Sequence, residues 1–99
     1  MNSRIQQLIE ASGLYPPRGV EIYRQPRVQG ATGLGSSVMY RAIADGTFPP
    51  SISLGDRSVG WVSVEVLLRS QAVMAGLNDG EMRELVTWMV EQRTAAIAA

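Results

Sequence analysis

The sequence contains no cysteine and no histidine, and its nine basic residues are all arginine. Without cysteine and histidine, the common transition-metal sites, thiol nucleophiles and Ser-His triads are excluded. The nine acidic residues are dispersed along the chain, and none forms a pair suited to general acid-base catalysis. We therefore expect a protein that is not an enzyme and that binds neither a metal nor a cofactor.

Long apolar runs are also absent. No stretch approaches the roughly 20 apolar residues that span a bilayer, and the N-terminus lacks the apolar core of a signal peptide. We expect a cytoplasmic protein that makes no contact with a membrane. Ninety-nine residues are enough for one small domain.

Net charge is zero, which by itself argues mildly against a nucleic-acid partner. The charge is unevenly distributed, however. Residues 1–61 hold six arginines and four acidic residues, whereas residues 62–99 hold three arginines and five acidic residues. A guanidinium can grip phosphate or guanine through two hydrogen bonds, so the first part of the chain is the better candidate for binding DNA.

The N-terminal third combines a helix pattern with a short strand pattern. The capping-box spacing at Ser3 and the stop at Gly13 predict a helix over about 4–12. The alternation over 20–23 predicts a strand that is placed to pair with a later hairpin. Residues 1–19 are expected to be either a packed helix or a mobile arm, and the sequence leaves both open.

The stretch over 27–61 has the layout of two helices joined by a glycine turn and followed by a β-hairpin. Pro26 suits the first turn of a helix that ends near Thr32, Gly33 suits the turn, and a second helix begins at Ser36 or Ser37. The residues expected to face inward are Val28 and Ala31 in the first helix and Met39, Ala42 and Ile43 in the second.

The hairpin is expected to place its apolar residues on one face, around a turn over 55–58. These apolar residues are Ile52, Leu54, Val59 and Trp61. Trp61 and Phe48 are expected to be core residues rather than base-stacking groups. A helix over 63–75 follows, with Ser63 as its cap and with Val66, Leu67, Ala72 and Val73 as its anchors.

A last helix begins after Asn78, which has capping-box spacing with Glu81. Its apolar stripe is expected either to close the core or to pack against another copy. The candidate contact residues are Met82, Leu85, Trp88 and Met89.

These patterns together predict a mainly α fold with a small β-hairpin wing, that is, an α+β winged helix-turn-helix. Three parts are expected: an N-terminal helix or arm over 1–19, a winged helix-turn-helix DNA-binding domain over 20–76, and a C-terminal amphipathic helix over 77–99.

The order and spacing of several motifs resemble the AlpA family of small bacterial and prophage regulators. The motifs are Thr32-Gly33-Leu34, Tyr40-Arg41-x-Ile43-x-x-Gly46-x-Phe48-Pro49, Leu54-Gly55-x-Arg57-x-Val59-Gly60-Trp61 and Glu65-Val66. The resemblance implies an excisionase-like fold that is also similar to the DNA-binding domain of MerR-type regulators. Three departures lower the positive charge: Ser36 stands where the family often has Arg, Pro50 and Ser53 stand where Lys is usual, and Asp56 stands at a turn position where Pro is common.

The resemblance implies a sequence-specific double-stranded DNA-binding protein of a bacterial mobile element, associated with the nucleoid. Two roles are implied: an excisionase, or recombination directionality factor, that shapes attachment-site DNA, and a transcriptional regulator of mobile-element genes. A protein-interaction module that works through the last helix is a further alternative. The implied partners are DNA, other copies of the chain in tandem, and a tyrosine recombinase (integrase).

Seven residues are the candidate DNA contacts. Arg41 and Arg57 are placed by the resemblance on the second helix and at the wing tip, and the serines suit phosphate binding at a helix N-terminus. The full set is Ser36, Ser37, Tyr40, Arg41, Arg57, Arg27 and Arg24.

Overall fold

A computed structural model describes residues 1–98 of the chain and the side chains of residues 1–95. Five helices and three short strands follow one another along the chain. They are α1 (Ser3–Ser12), β1 (Ile22–Tyr23), α2 (Gln25–Thr32), α3 (Ser36–Ala44), β2 (Ile52–Gly55), β3 (Ser58–Val62), α4 (Ser63–Met74) and α5 (Asp79–Ala98). The predicted fold class, a mainly helical winged helix-turn-helix, is confirmed.

The helix-turn-helix consists of α2 and α3. Pro26 lies in the first turn of α2, where a missing N–H costs nothing, and Gly33 ends α2 with a φ of 73°. Val28 of α2 and Met39 of α3 are fully buried in the same hydrophobic cluster. Ala31 was expected to face inward but is exposed, because the short helix α2 turns only a narrow face toward its neighbours.

The three strands form an antiparallel sheet in the order β1-β3-β2. The expected pairing of the first strand with the hairpin is confirmed, since Ile22 lies opposite Val62 and Tyr23 lies opposite Trp61. The strand is shorter than the predicted range 20–23. Just before it, the backbone N–H of Glu21 donates to the Ser63 hydroxyl at 2.9 Å, and Ser63 N–H donates to the Glu21 carbonyl at 2.9 Å.

The prediction that the hairpin has one apolar face is wrong. Ile52 pairs with Gly60 and Ser53 pairs with Val59, and the register shifts between Ser53 and Gly55. This register places Ile52 on the face opposite Val59, because successive side chains of a strand point to opposite faces. Trp61 shares the face of Val59 and is buried, as expected for a core residue.

Two hydrophobic cores lie on either side of α4. The sheet core joins the helix-turn-helix to the wing and consists of Tyr23, Val28, Met39, Phe48, Trp61 and Val66. The helical core joins α1 and α5 to α4 and consists of Ile5, Ile9, Leu68, Ala72, Met82, Leu85, Val86 and Met89. Residues 3–12 therefore form a packed helix and not an arm. The three-part division of the chain remains a prediction, but the two terminal parts share this one core.

Two of the four predicted anchors of α4 are wrong. Leu67 and Val73 are 38% and 54% exposed, whereas Leu68 is fully buried. The reason is that α4 serves two cores at once, so its inward surface is wider than one stripe and is rotated by one residue from the predicted face. Ser63 is the first residue of α4 rather than its cap, which is Val62.

The caps of the terminal helices are asparagines. Asn2, not Ser3, caps α1, and its side-chain oxygen accepts from Ile5 N–H at 2.9 Å. The capping box predicted for the last helix is confirmed: Glu81 N–H donates to the Asn78 side chain at 2.8 Å, and Asn78 N–H donates to the Glu81 carboxylate at 3.0 Å.

Ala99, the last residue of the predicted C-terminal part, lies outside the described residues. Across residues 1–98, none of the helices has the length and apolar character required to cross a membrane.

Candidate nucleic-acid interface

The exposed face of α3 carries four of the seven predicted contact residues. Met39 is buried beneath the helix, and Ala42 and Ile43 pack against the sheet core. The remaining surface, which faces away from that core, presents Ser36, Ser37, Tyr40 and Arg41. The periodicity of α3 thus exposes these four side chains, as the sequence predicts.

A glutamine of α2 fixes the side chains at the start of α3. The Gln25 amide nitrogen donates to the Ser36 hydroxyl at 3.2 Å, and the Tyr40 hydroxyl donates to the Gln25 amide oxygen at 2.9 Å. Gln25 was missed by sequence reasoning. The sequence feature that could have identified Gln25 is its position next to Pro26, at the N-terminal end of the helix that supports α3.

Tyr40 also joins α3 to the wing. Its ring lies edge-on to the ring of Trp61, with centroids 6.4 Å apart and an interplanar angle of 67°. The residue is still 45% exposed. Because its hydroxyl proton is engaged by Gln25, the phenol offers a DNA ligand mainly its oxygen lone pairs, so Tyr40 is better suited to hold α3 against the wing than to donate to phosphate.

The wing tip is a two-residue turn formed by Asp56 and Arg57. Their φ angles are 44° and 64°, and both lie in the left-handed region that a type I′ hairpin turn requires. Arg57 is exposed there. Within the described residues, the guanidinium groups of Arg57 and Arg41 take part in none of the hydrogen bonds or ion pairs, which leaves both cations free to bind an external anion.

The two arginines near the start of α2 differ from each other. The Arg27 guanidinium lies 4.2 Å from the centre of the Tyr23 ring and 3.6 Å from the Glu21 carboxylate. No pattern in the sequence predicts the direction of this side chain, and the structure shows that its charge is partly neutralised within the chain. Arg24 occupies the N-cap position of α2, is exposed, and makes no side-chain capping hydrogen bond.

Four other arginines donate to backbone carbonyls. Arg4 donates to the carbonyl of Ala75 at 2.8 Å and pairs with Glu81 at 3.2 Å. The other three, Arg69, Arg83 and Arg93, donate to the segment between α3 and β2. A guanidinium that is bound to a carbonyl has fewer N–H groups left for phosphate, so these four side chains are structural.

The predicted contact residues of α5 lie mostly inside the molecule. Met82, Leu85 and Met89 are buried in the helical core, which is the core-closing alternative of the sequence analysis. They are therefore not at the surface for another copy to contact. Trp88 is half-buried, and its ring lies edge-on to that of Tyr15 with centroids 4.7 Å apart.

Comparison with known proteins places residues 21–75 in one family. These residues match the family model described as "Prophage CP4-57 regulatory protein (AlpA)". A protein of Enterobacteria phage P4, described as "Uncharacterized protein ORF88", is 42% identical over 60 residues, which are 61% of this chain and 64% of that protein. The match thus spans just under two thirds of the length of the phage relative. No solved structure matches the chain significantly.

Proposed function

Because this chain belongs to the AlpA family of phage regulatory proteins, we propose that it is a regulatory protein of a mobile element that binds double-stranded DNA through α3 and the wing. The observation that carries the proposal is the pair of free cations on these two elements. Arg41 lies in the last turn of α3 and Arg57 at the wing tip. Both are exposed, while most other arginines have partners within the chain.

A major groove admits one α-helix, and the exposed face of α3 carries Arg41 together with two serines at the N-terminus of the helix. In this arrangement Ser36 and Ser37 lie at the N-terminus of α3, where hydroxyl groups and unpaired backbone N–H groups favour a phosphate. Arg41 reads a base edge or holds a phosphate in the groove. Arg57 contacts the adjacent backbone or minor groove.

The remaining candidates play lesser roles in the proposal. Arg24 lies beside the N-terminus of α2 and is free to hold a phosphate. Arg27 would bind DNA less strongly, because Glu21 already offsets part of its charge. Tyr40 positions α3 through its contacts with Gln25 and Trp61.

For the biological role, we favour an excisionase that shapes attachment-site DNA so that an integrase can join distant sites. This role needs no catalytic residue, since the protein contributes only binding and bending. Ser36 replaces a cation at the start of α3 relative to the family pattern, and phosphate neutralisation supplies much of the affinity for DNA. We therefore expect single copies to bind weakly and tandem copies to assist one another.

A transcriptional regulator of mobile-element genes is the second candidate. The family model carries the words "regulatory protein", which favour this role directly. The two roles use the same interface and differ in the DNA site at which the protein works.

A gel-shift titration separates the roles. The purified protein is titrated on attachment-region DNA, on promoter DNA and on a scrambled duplex, each at two salt concentrations. Stepwise, cooperative shifts confined to attachment-region DNA would support an excisionase, and a shift confined to the promoter would support a regulator. Single-site and multi-site duplexes that bind equally tightly would contradict the cooperative mode.

The same titration tests the interaction-module alternative. A protein that shows no salt-dependent binding to any duplex would contradict the proposed interface. The half-buried Trp88 and its neighbours on α5 would then be the surface on which to look for a protein partner.

A further inference from the structure

The segment over 45–50, called the linker below, connects α3 to the first strand of the wing. Its early backbone N–H groups are bonded back to α3. Asp45 N–H donates to Arg41 O at 2.9 Å, Gly46 N–H to Ile43 O at 3.1 Å, and Thr47 N–H to Ala42 O at 2.9 Å. The linker therefore continues directly from the C-terminal turn of α3.

Three carbonyl groups of the linker accept hydrogen bonds from three arginines. Arg83 Nε donates to Asp45 O at 2.9 Å, Arg69 Nε donates to Thr47 O at 3.1 Å, and Arg93 Nη2 donates to Pro50 O at 2.7 Å. These are all the arginines of residues 62–99. Residues 62–99, which carry a net negative charge, thus donate hydrogen bonds from all three of their arginines to one backbone segment.

Two of these arginines are themselves held in place. Arg93 forms a paired hydrogen bond with Glu65, at 2.8 Å and 2.6 Å, and that glutamate is only 2% exposed. The Arg69 guanidinium lies 5.0 Å from the centre of the buried Phe48 ring. Because the donors are fixed, each carbonyl of the linker that they bind is fixed as well.

We propose that Arg83, together with Arg69 and Arg93, is a positioning group that sets the orientation of α3 relative to the wing for DNA binding. The inference rests on the proposed function. A helix and a wing that must engage one duplex at the same time bind more tightly when their relative orientation is fixed in advance, because less freedom is lost on binding.

Two of the three positioning groups lie beyond the region matched by the family. Arg83 and Arg93 belong to α5, whereas the family model ends at residue 75. The helix α5 thus both closes the helical core and holds the linker. The last helix acts on DNA binding through the linker and without contacting DNA.

Arg83 is the best residue for a test, because it is exposed and its removal leaves no buried charge. Its Cγ atom lies 3.7 Å from the position that a Cβ at Gly46 would occupy, so the side-chain stem passes over the linker. Arg83→Met keeps that stem and removes the donor and the charge. Arg18→Met removes an equal charge from an exposed arginine beside Leu14 and Tyr15, and serves as the control.

The experiment is a fluorescence-anisotropy titration of a duplex that the wild-type protein binds, repeated over a series of salt concentrations. We expect Arg83→Met to weaken binding by up to about tenfold, because a linker that has lost one charge-assisted hydrogen bond must be ordered again when DNA binds. The slope of log affinity against log salt should match that of wild type, because no phosphate contact is lost. Arg18→Met should stay within about twofold of wild type, as for a lone surface charge.

Three results would overturn the proposal. The first is an affinity of Arg83→Met equal to that of wild type. The second is a salt slope of Arg83→Met that is reduced by about one phosphate contact, as expected if Arg83 binds phosphate. The third is a loss of affinity in Arg18→Met as large as that in Arg83→Met. Failure of the wild-type protein to bind any duplex is a different result, which contradicts the proposed function itself.

A second measurement uses the wild-type protein and so does not depend on the folding of a variant. In nitrogen-15 NMR spectra of the free protein, the Nε–H groups of Arg69 and Arg83 should exchange with water more slowly than those of Arg41 and Arg57, because they are bonded to carbonyls. Equal exchange rates for Arg83 and Arg41 would overturn the proposal.

Discussion

At the scale of the residue, one amino-acid type occupies two kinds of environment in this chain. All nine cations are arginine, yet Arg41 and Arg57 are exposed and free, whereas Arg83 and Arg93 are bonded to backbone carbonyls. The planar guanidinium suits both environments, since it can donate to a single carbonyl oxygen and can also bind a carboxylate or a phosphate through two hydrogen bonds. The surroundings of each arginine, not its identity, determine its role.

Arg41→Ala tests the central contact of the proposed interface. If Arg41 reads a base, the substitution should cost about 1–3 kcal/mol of binding free energy and relax the sequence preference at one position. The measurement is competition binding against duplexes substituted at single positions, with Arg18→Ala as the charge-matched control. An equal loss on random DNA would assign Arg41 to a phosphate instead.

Tyr15 provides a prediction about pH. Burial of its ring, reinforced by the nearby Glu65 carboxylate and opposed by Arg93, raises the pKa of Tyr15 from 10.0 to about 12. The folded protein therefore holds this proton at a pH where the unfolded chain has released it. The resulting contribution to stability is complete below pH 10 and is lost as the pH rises toward about 12.

The check is the difference in ultraviolet absorbance at the tyrosinate band between the wild-type protein and Tyr15→Phe, recorded as a function of pH. The difference should titrate near pH 12. The stability of Tyr15→Phe should also fall less steeply above pH 10. A difference signal that titrates at the ordinary tyrosine pKa would show that the phenol is not buried in solution.

At the scale of the element, the sheet depends on a close approach of strands at Gly60. A Cβ at this position would overlap the Ile22 side chain across the sheet and would lie 3.2 Å from Leu54 Cδ1 and 3.3 Å from the Tyr23 carbonyl. Gly60 thus allows β1 and β2 to bring their side chains together over β3. This packing explains why the motif Val59-Gly60-Trp61 has a glycine at its centre.

Gly60→Ala should lower the free energy of unfolding by about 1–3 kcal/mol, the usual range for overpacking a filled site. Adding Ile22→Ala should recover much of that loss, because it removes the overlapping side chain. Gly30→Ala is the matched control, since Gly30 lies in α2 with open space around it, and it should stabilise the protein. Urea unfolding of the four proteins measures all of these effects, and equal destabilisation by the two alanine substitutions at glycine would contradict the account.

At the scale of the whole molecule, α4 contributes side chains to both hydrophobic cores. Val66 belongs to the sheet core, and Leu68 and Ala72 belong to the helical core. The ion pair of the buried Glu65 with the partly exposed Arg93 joins α4 to α5. A helix shared in this way ties the two cores together, so we expect them to unfold as one unit.

The two tryptophans provide a test, since Trp61 lies in the sheet core and Trp88 beside the helical core. Trp88→Phe leaves a reporter of the first core, and Trp61→Phe leaves a reporter of the second. In each variant, the fluorescence transition in urea should have the same midpoint as the transition followed by circular dichroism. Separated midpoints within one variant would show that the cores unfold independently.

Local signals in the sequence were sufficient to predict the order of the helices and strands and which α3 side chains are exposed. Proline and glycine predicted the start of α2 and its end at Gly33, and the spacing of Asn78 and Glu81 predicted the cap of α5. The period of α3 predicted which of its side chains are exposed. These features depend on residues within about one helical turn of one another, so the sequence contains them directly.

Only the tertiary structure decided the features that depend on distant residues. The faces of the hairpin follow from a strand register that shifts near Gly55, and the inward surface of α4 follows from the presence of a core on each side. Likewise, Arg83 meets Asp45 across 38 residues, and Arg93 meets Pro50 across 43. No local pattern specifies such contacts, because they form only when packing brings separate elements together.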